Sequence, residues 1–469
     1  MTPIKDNAFA PNNTPFEPLI ADRAGTNFTF DSLHNRVPHI LTDVINDLYM
    51  AIQERKGADA EAAISEGKEL TGALSKLKHE MVTDKKLTAI EDDGVGDIAE
   101  WNEWLATYFP DKTWSTTPFL AWETYMYRRI AATFGRSKHW SKYDFFVAKK
   151  QATFAASMAA VARLCRRVAE LTAQCKADSG SATRMHLAFV EMLQASLWGN
   201  QTDLSMFPDL SSEALEAMQA RISSGENDSK VVANDTDRIW TLVSQINGGR
   251  IDIVLDNSGF ELLQDVLLAH WLVELGYART VVFHPKRIPW YVSDVTNEDF
   301  HWLVAAARDP SLAGGKGTLD PADAAALQAL GNKWAAFLEN GTWVLKDELF
   351  WTGPYGFRYL PTIGKDVWEG ELTKADVVIF KGDLNYRKLT YDQKWPVSTP
   401  FVEALGPIAT AADAPAIVAL RTSKCDTITG VAPERAEALF NERHDWMYSG
   451  QYGVIQLSPG RWARGESSA

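Results

Sequence analysis

Four short segments carry the residue types that metal-assisted phosphoryl chemistry needs. In IDIVLDNSGFELL an aliphatic run ends at Asp256, Asn257, Ser258 and Gly259, and Glu261 follows within the next turn. Adjacent Asp and Asn offer the hard oxygen donors that small divalent cations prefer. In WYVSDVTNEDF, Asp294 supplies a further carboxylate. In ADVVIFKGDLNYRKL, an apolar run leads into Lys381, Gly382, Asp383, Leu384, Asn385, Tyr386 and Arg387. Lys381, Asn385 and Arg387 suit phosphate oxygens, the Lys as a point charge and the Arg as a fork. Gly382 allows close backbone approach. In AIVALRTSKCD, Arg421 and Lys424 follow a fourth apolar run, and a Lys there neutralises a transferring phosphoryl group.

Each segment also has a bland reading. Asp, Asn and Ser cap helices, and polar loop residues are commonly just solvated. Cys425 lies beside Lys424, but no His stands nearby in sequence as a base, which disfavours a thiol nucleophile. The chain has no GxGxxG, GxxxxGK[ST] or HExxH signature. Taken together, carboxylates for a cation and Lys/Arg for an anion fit phosphoryl transfer better than four unrelated caps.

The elements that must position these residues are strands of a mainly parallel sheet. Continuous aliphatic runs predict strands at 251–255, 280–283, 289–292, 343–346, 375–380, 416–420 and 452–457. Helical periodicity predicts helices at 260–275, 297–307, 320–338 and 432–442. Strand-helix alternation implies a Rossmann-like three-layer α/β/α domain over 249–469. In such a sheet the carboxyl ends of the strands share one edge, where ligands bind. Residues 1–248 read as a helical domain that caps it, with 1–34 as a polar extended arm. Helices are expected at 37–48, across 57–84, as one long element over 143–175, and at 182–197, 211–223 and 235–246. The aromatic density of 101–129 reads as core packing.

With 469 residues, 46% of them hydrophobic, the chain can bury a large core. A net charge of −14 without a basic cluster argues against nucleic acid as the main partner. Three cysteines in no metal or disulfide pattern suggest a reducing compartment. No apolar run long enough to span a bilayer and no secretory h-region stand out. The expectation is a cytoplasmic protein, with the nucleus open to it, acting on a small phosphorylated metabolite as a monomer or weak homo-oligomer, with no membrane partner.

The motifs DNSGFE (256–261), SDV (293–295), KGDLNYRKL (381–389) and RTSK (421–424) together resemble the metal-dependent damage-control phosphatases, also known as domain of unknown function 89. The likeness is to the eukaryotic third branch with its RTxK motif, and extends to ETYMYRRI (123–130) and LWGNQTDLS (197–205). The resemblance implies a helical region packed on a Rossmann-like domain. It implies Mn²⁺, Co²⁺ or Ni²⁺, with Mg²⁺ also admissible, held by Asp256, Asn257 and Asp294. Substrate contacts are implied for Asp383 to Arg387 and Lys424; Asp256, Asn257, Lys381 and Arg421 join them on their position at strand ends. Asp256, Asn257, Glu261 and Lys424 are the expected catalytic residues, with Glu261 orienting water. The implied activity is hydrolysis of small phosphate monoesters such as fructose 1-phosphate. An alternative is S-adenosylmethionine-dependent carboxyl methyl transfer, in which Glu261 and Asp294 meet the methyl donor.

Overall fold

The computed structural model describes residues 17–22, 24–25, 27–199, 229–314 and 319–465. The helix expected at 211–223, most of the arm, and the end of LWGNQTDLS lie outside the described residues.

Buried aliphatic runs build one sheet, seven-stranded among the described residues, in the order β1-β7-β6-β5-β2-β3-β4. The strands are β1 Val231–Asn234, β2 Gly249–Val254, β3 Ala278–His284, β4 Trp343–Leu345, β5 Val377–Lys381, β6 Ala416–Thr422 and β7 Gly453–Ser458. From β6 to β4 all neighbours are parallel, while β7 runs antiparallel to β6 and β1 pairs parallel to β7. The mainly parallel α/β/α architecture is as expected. Period 2 sorts the side chains. Ile251, Ile253, Val281, Phe283, Ile379 and Val418 join the core of one face, beneath the helices Met158–Ala177, Ala182–Trp198 and Phe260–Glu274. Val254, Val378, Phe380, Ile417 and Val454 face a second core with Trp351, Phe357 and Trp368. A third core unites the amino-terminal helices, with Trp101, Trp104, Trp114 and Trp122 buried, and takes in Trp290 and Leu384 from the sheet part. The aromatic stretch is therefore core.

The chain winds β2-β3-β4 to one side of β2 and places β5 on the other. The crevice between the ends of β2 and β5 is thus a topological switch point, where crossing connections diverge and leave room for a ligand.

Four expectations need correction. Residues 289–292 form no strand. Tyr291 and Val292 adopt φ of 43° and 70°, and Asp294 N–H donates to Trp290 O at 3.1 Å. Trp290 is fully buried and Tyr291 stacks on Tyr127 at 4.4 Å, so aromatic packing against the helical part overrides β propensity. The helix over 143–175 is two helices, Val147–Ala156 and Met158–Ala177. At the break Ser157 Oγ donates to Thr153 O at 3.1 Å, a side-chain bond that competes with helical geometry. The first 248 residues are not all helical, because β1 lies within them; only two of its four residues are buried, too few to show a strand pattern. Finally, the arm is not extended to its end: Phe28–Asp31 is α-helical and Ser32–Arg36 continues it as a π-helical turn, started by Asn27, whose Oδ1 accepts from Phe30 N at 2.8 Å. GDLNYRKL, for which the sequence predicts no element, forms the helix Gly382–Thr390 directly after β5.

Candidate active site

Backbone pairing brings the first two segments together. Beyond β2, Asp256 O accepts from Val295 N at 2.8 Å, Ser258 N donates to Ser293 O at 2.6 Å, and Asn257 and Asp294 form a β-bridge. Gly259, at φ 72°, then turns the chain into the helix Phe260–Glu274. From the helical part, Lys150 Nζ donates to Asp294 O at 3.0 Å and pairs with Asp144 and Asp299 at 2.8 and 2.6 Å. From the other side, Gly382 at φ 80° faces Asp256: a Cβ there would lie 1.8 Å from Asp256 Oδ2. Only glycine lets the start of the β5 helix come this close.

A cavity of about 440 Å³ lies over this junction. Asp256, Asn257 and Asp294 line one side; Asp383, Leu384, Arg387 and Lys424 line another. Asp294 and Lys424 thus share one chamber with Asp256, although they come from distant loops. Arg36, Glu123 and Tyr291 also line it.

The electrostatics divide in two. Asp256 is 5% exposed, and its pKa is pushed well above the usual carboxyl range by burial and by the facing Asp294 and Glu261. Burial also raises Asp294, to about 6, against Lys286 Nζ 3.2 Å from its Oδ2. Asp383 is the reverse case. Burial would raise it, but Arg421 and Arg387 outweigh that and hold it low. Its Oδ1 accepts from Arg421 Nε at 2.8 Å and Lys424 N at 3.0 Å. Lys424 itself is exposed, and its ammonium makes no ion pair among the described residues.

Several expected substrate contacts are buried and do not line the cavity. Lys381 is 1% exposed and pairs with Asp265 at 2.9 Å and Glu261 at 3.4 Å. Arg421 is fully buried, donates to Asp383, Cys425 O and Thr427 O, and lies over the Tyr386 ring. Asn385 donates to Leu255 O and Lys381 O, tying β2 to β5. Tyr386 bonds Gln456 and Thr429. These four brace the cavity wall. Glu261 accepts from Asn257 Nδ2 at 2.8 Å and lines a neighbouring cavity of about 270 Å³, so it holds Asn257 from behind.

Arg387 borders the cavity but is closed by partners: Asp392 through Nε and Nη2 at 2.7 and 2.9 Å, and Glu123 through Nη1 at 2.7 Å. Burial would raise Glu123; Arg36 and Arg387 together hold it low. Sequence reasoning misses Lys286, Arg36 and Glu123 as site residues. Lys286 follows β3 within HPK, the strand-end signal that marks the other segments, and Glu123 opens ETYMYRRI. Arg36 carries no local signal.

The donor set suits a hard cation in one respect and limits it in another. Among the described residues no three His, Cys, Asp or Glu side chains converge as a metal cluster. A cation here would rest on two carboxylates and the Asn257 amide oxygen, which also accepts from Ser293 Oγ. The crowding that raises Asp256 is the condition a cation relieves. No helix among the described residues is long and apolar enough to cross a membrane.

A family model described as "Damage-control phosphatase ARMT1-like domain" matches residues 32–439. The mouse protein named damage-control phosphatase ARMT1 is 34% identical over 446 residues, covering 92% of this chain and 96% of its own. The Xenopus tropicalis and human proteins of that name are 34% and 32% identical over 445 residues, with the same coverage. The chain belongs to the damage-control phosphatase ARMT1-like family.

Proposed function

We propose that this chain is a divalent-metal-dependent phosphatase of small phosphate monoesters, with sugar phosphates such as fructose 1-phosphate among its substrates. The observation that carries the reading is one chamber at the switch point lined by Asp256, Asn257, Asp294 and Lys424, whose ammonium makes no ion pair among the described residues. Asp256, Asn257 and Asp294 would hold Mn²⁺, Co²⁺, Ni²⁺ or Mg²⁺. The bound ion supplies Lewis-acid polarisation of the phosphoryl group and makes nearby water more acidic.

The chain's own residues do the rest. Lys424 meets the phosphate oxygens and offsets their charge as the ester bond breaks. Asp383 binds the Lys424 backbone and fixes the RTSK turn relative to the β5 helix. Glu261 and Ser293 bind opposite ends of the Asn257 amide and set its orientation. Lys381 balances the charges of Glu261 and Asp265 behind the wall. In-line attack by water is favoured over attack by Asp256, because a carboxylate engaged with a cation is a poor nucleophile.

Fructose 1-phosphate hydrolysis, followed by phosphate release with Mn²⁺, tests the reading. Asp256→Ala should lower kcat/KM by at least about 100-fold. Undiminished turnover in this variant would remove the proposed metal site.

A further inference from the structure

Glu123 and Arg36 line the same cavity as Asp256, Asp294 and Lys424, and the reading above gives them no part in holding the cation or the phosphate. Arg36 Nη2 pairs with Glu123 Oε1, while Arg387 takes Oε2. Arg36 is 42% exposed at its side chain, and its Nη1 makes no hydrogen bond to the described residues. Tyr291 lines the same chamber, and its buried hydroxyl has no hydrogen-bond partner among the described residues. A buried hydroxyl without a partner is costly. Its backbone, together with that of Val292, is held at positive φ, a strain that concentrates at ligand sites. Beside them, Phe28 stacks on Tyr448 at 4.8 Å and meets Phe119 edge-on at 5.9 Å, giving an aromatic wall.

The charges in this corner cancel. Arg36 and Arg387 are matched by Glu123 and Asp392. A second phosphate finds no excess cation there and meets the Glu123 carboxylate. Hydroxyl and carbonyl groups find donors and an aromatic face. We infer that Arg36, Glu123 and Tyr291 form a subsite for the polyhydroxylated body of a monophosphate substrate, and that the aromatic wall of Phe28 and Tyr448 packs against its carbon face. The inference rests on the phosphatase reading and adds what selects the alcohol part. It also gives the amino-terminal arm a role in recognition. Phe28 lies near its end and Arg36 just beyond it, and the arm is anchored where Leu19 N donates to Asp392 O and Phe119 N donates to Leu19 O.

The test compares fructose 1-phosphate with phenyl phosphate, which has the ester but no hydroxyls, in the full chain with Mn²⁺. Arg36→Gln and Tyr291→Phe should each lower the ratio of the two kcat/KM values by about tenfold or more, chiefly through KM on the sugar ester. Arg36→Lys should recover part of the ratio. Circular dichroism and a thermal melt check that each variant is folded. Arg36 is half-exposed and decides the matter if Tyr291→Phe does not fold. The unaltered chain should also prefer fructose 1-phosphate to fructose 1,6-bisphosphate. Equal losses on both esters, no loss at all, or preference for the bisphosphate would overturn the subsite while leaving phosphatase activity intact. Failure of the unaltered chain to hydrolyse any of the three would overturn the phosphatase reading, and the subsite with it.

Discussion

Gly382→Ala is the sharpest perturbation this structure allows. The added methyl would stand 1.8 Å from Asp256 Oδ2, 2.1 Å from its Cγ and 2.7 Å from its Cβ. Restoring an ordinary contact of 3.4 Å to Oδ2 requires a relative shift of about 1.6 Å. Asp256 cannot absorb that shift freely, because its backbone is bound to Val295 and its Oδ2 accepts from Asn257 Nδ2 at 2.6 Å. The left-handed backbone adds about 1–2 kcal/mol of strain for alanine. A misplacement of this size at reacting groups costs roughly 100-fold in rate. The expected outcome is a fall of at least that order in kcat for fructose 1-phosphate, with weakened Mn²⁺ binding by titration calorimetry. Gly370→Ala serves as control, since a Cβ there meets nothing within 4 Å. Full turnover and unaltered Mn²⁺ binding in Gly382→Ala would refute the claim that this glycine sets the position of Asp256.

Two further outcomes follow from the same geometry. Lys424→Ala should lower kcat/KM for phosphate monoesters by about 100- to 1000-fold, and Lys424→Arg should restore part of it, because the unpaired charge rather than packing is lost; steady-state kinetics across both variants checks this. His284 is fully buried between Asp252 at 3.0 Å and Glu348 at 3.3 Å. Burial opposes its charge, but hydrogen bonds to the two carboxylates raise its pKa to about 9. The folded-state value exceeds the unfolded value near 6.5, so its stabilisation is complete below about pH 6.5 and fades as pH rises through about 9. Its upper bound is about 3 kcal/mol. Urea midpoints should therefore fall between pH 6.5 and 9, with a flatter profile in His284→Asn; parallel profiles would discount the pair.

Local pattern alone specifies the strand-helix alternation after residue 250 and the polar residues that follow β2, β5 and β6. A continuous aliphatic run is a local property, so six of the seven strands are legible in the sequence, as is the close backbone approach that Gly382 allows. Short β1 escapes because four residues, two of them buried, carry little pattern. At 289–292 the local preference is extended, and only the burial of Trp290 and the Tyr291–Tyr127 stack turn it into the strained corner that carries Asp294. Packing in three dimensions also selects which cations are free. Lys381, Arg421 and Lys424 look alike in sequence. Asp265, Glu261 and Asp383, on other elements, close the first two into buried pairs and leave the third open. Arg36 and Glu123 lie 87 residues apart in the chain. A charge is neutralised by whatever lies within a few ångströms of it, and that neighbour is set by how the helical part docks on the sheet, which no local pattern encodes.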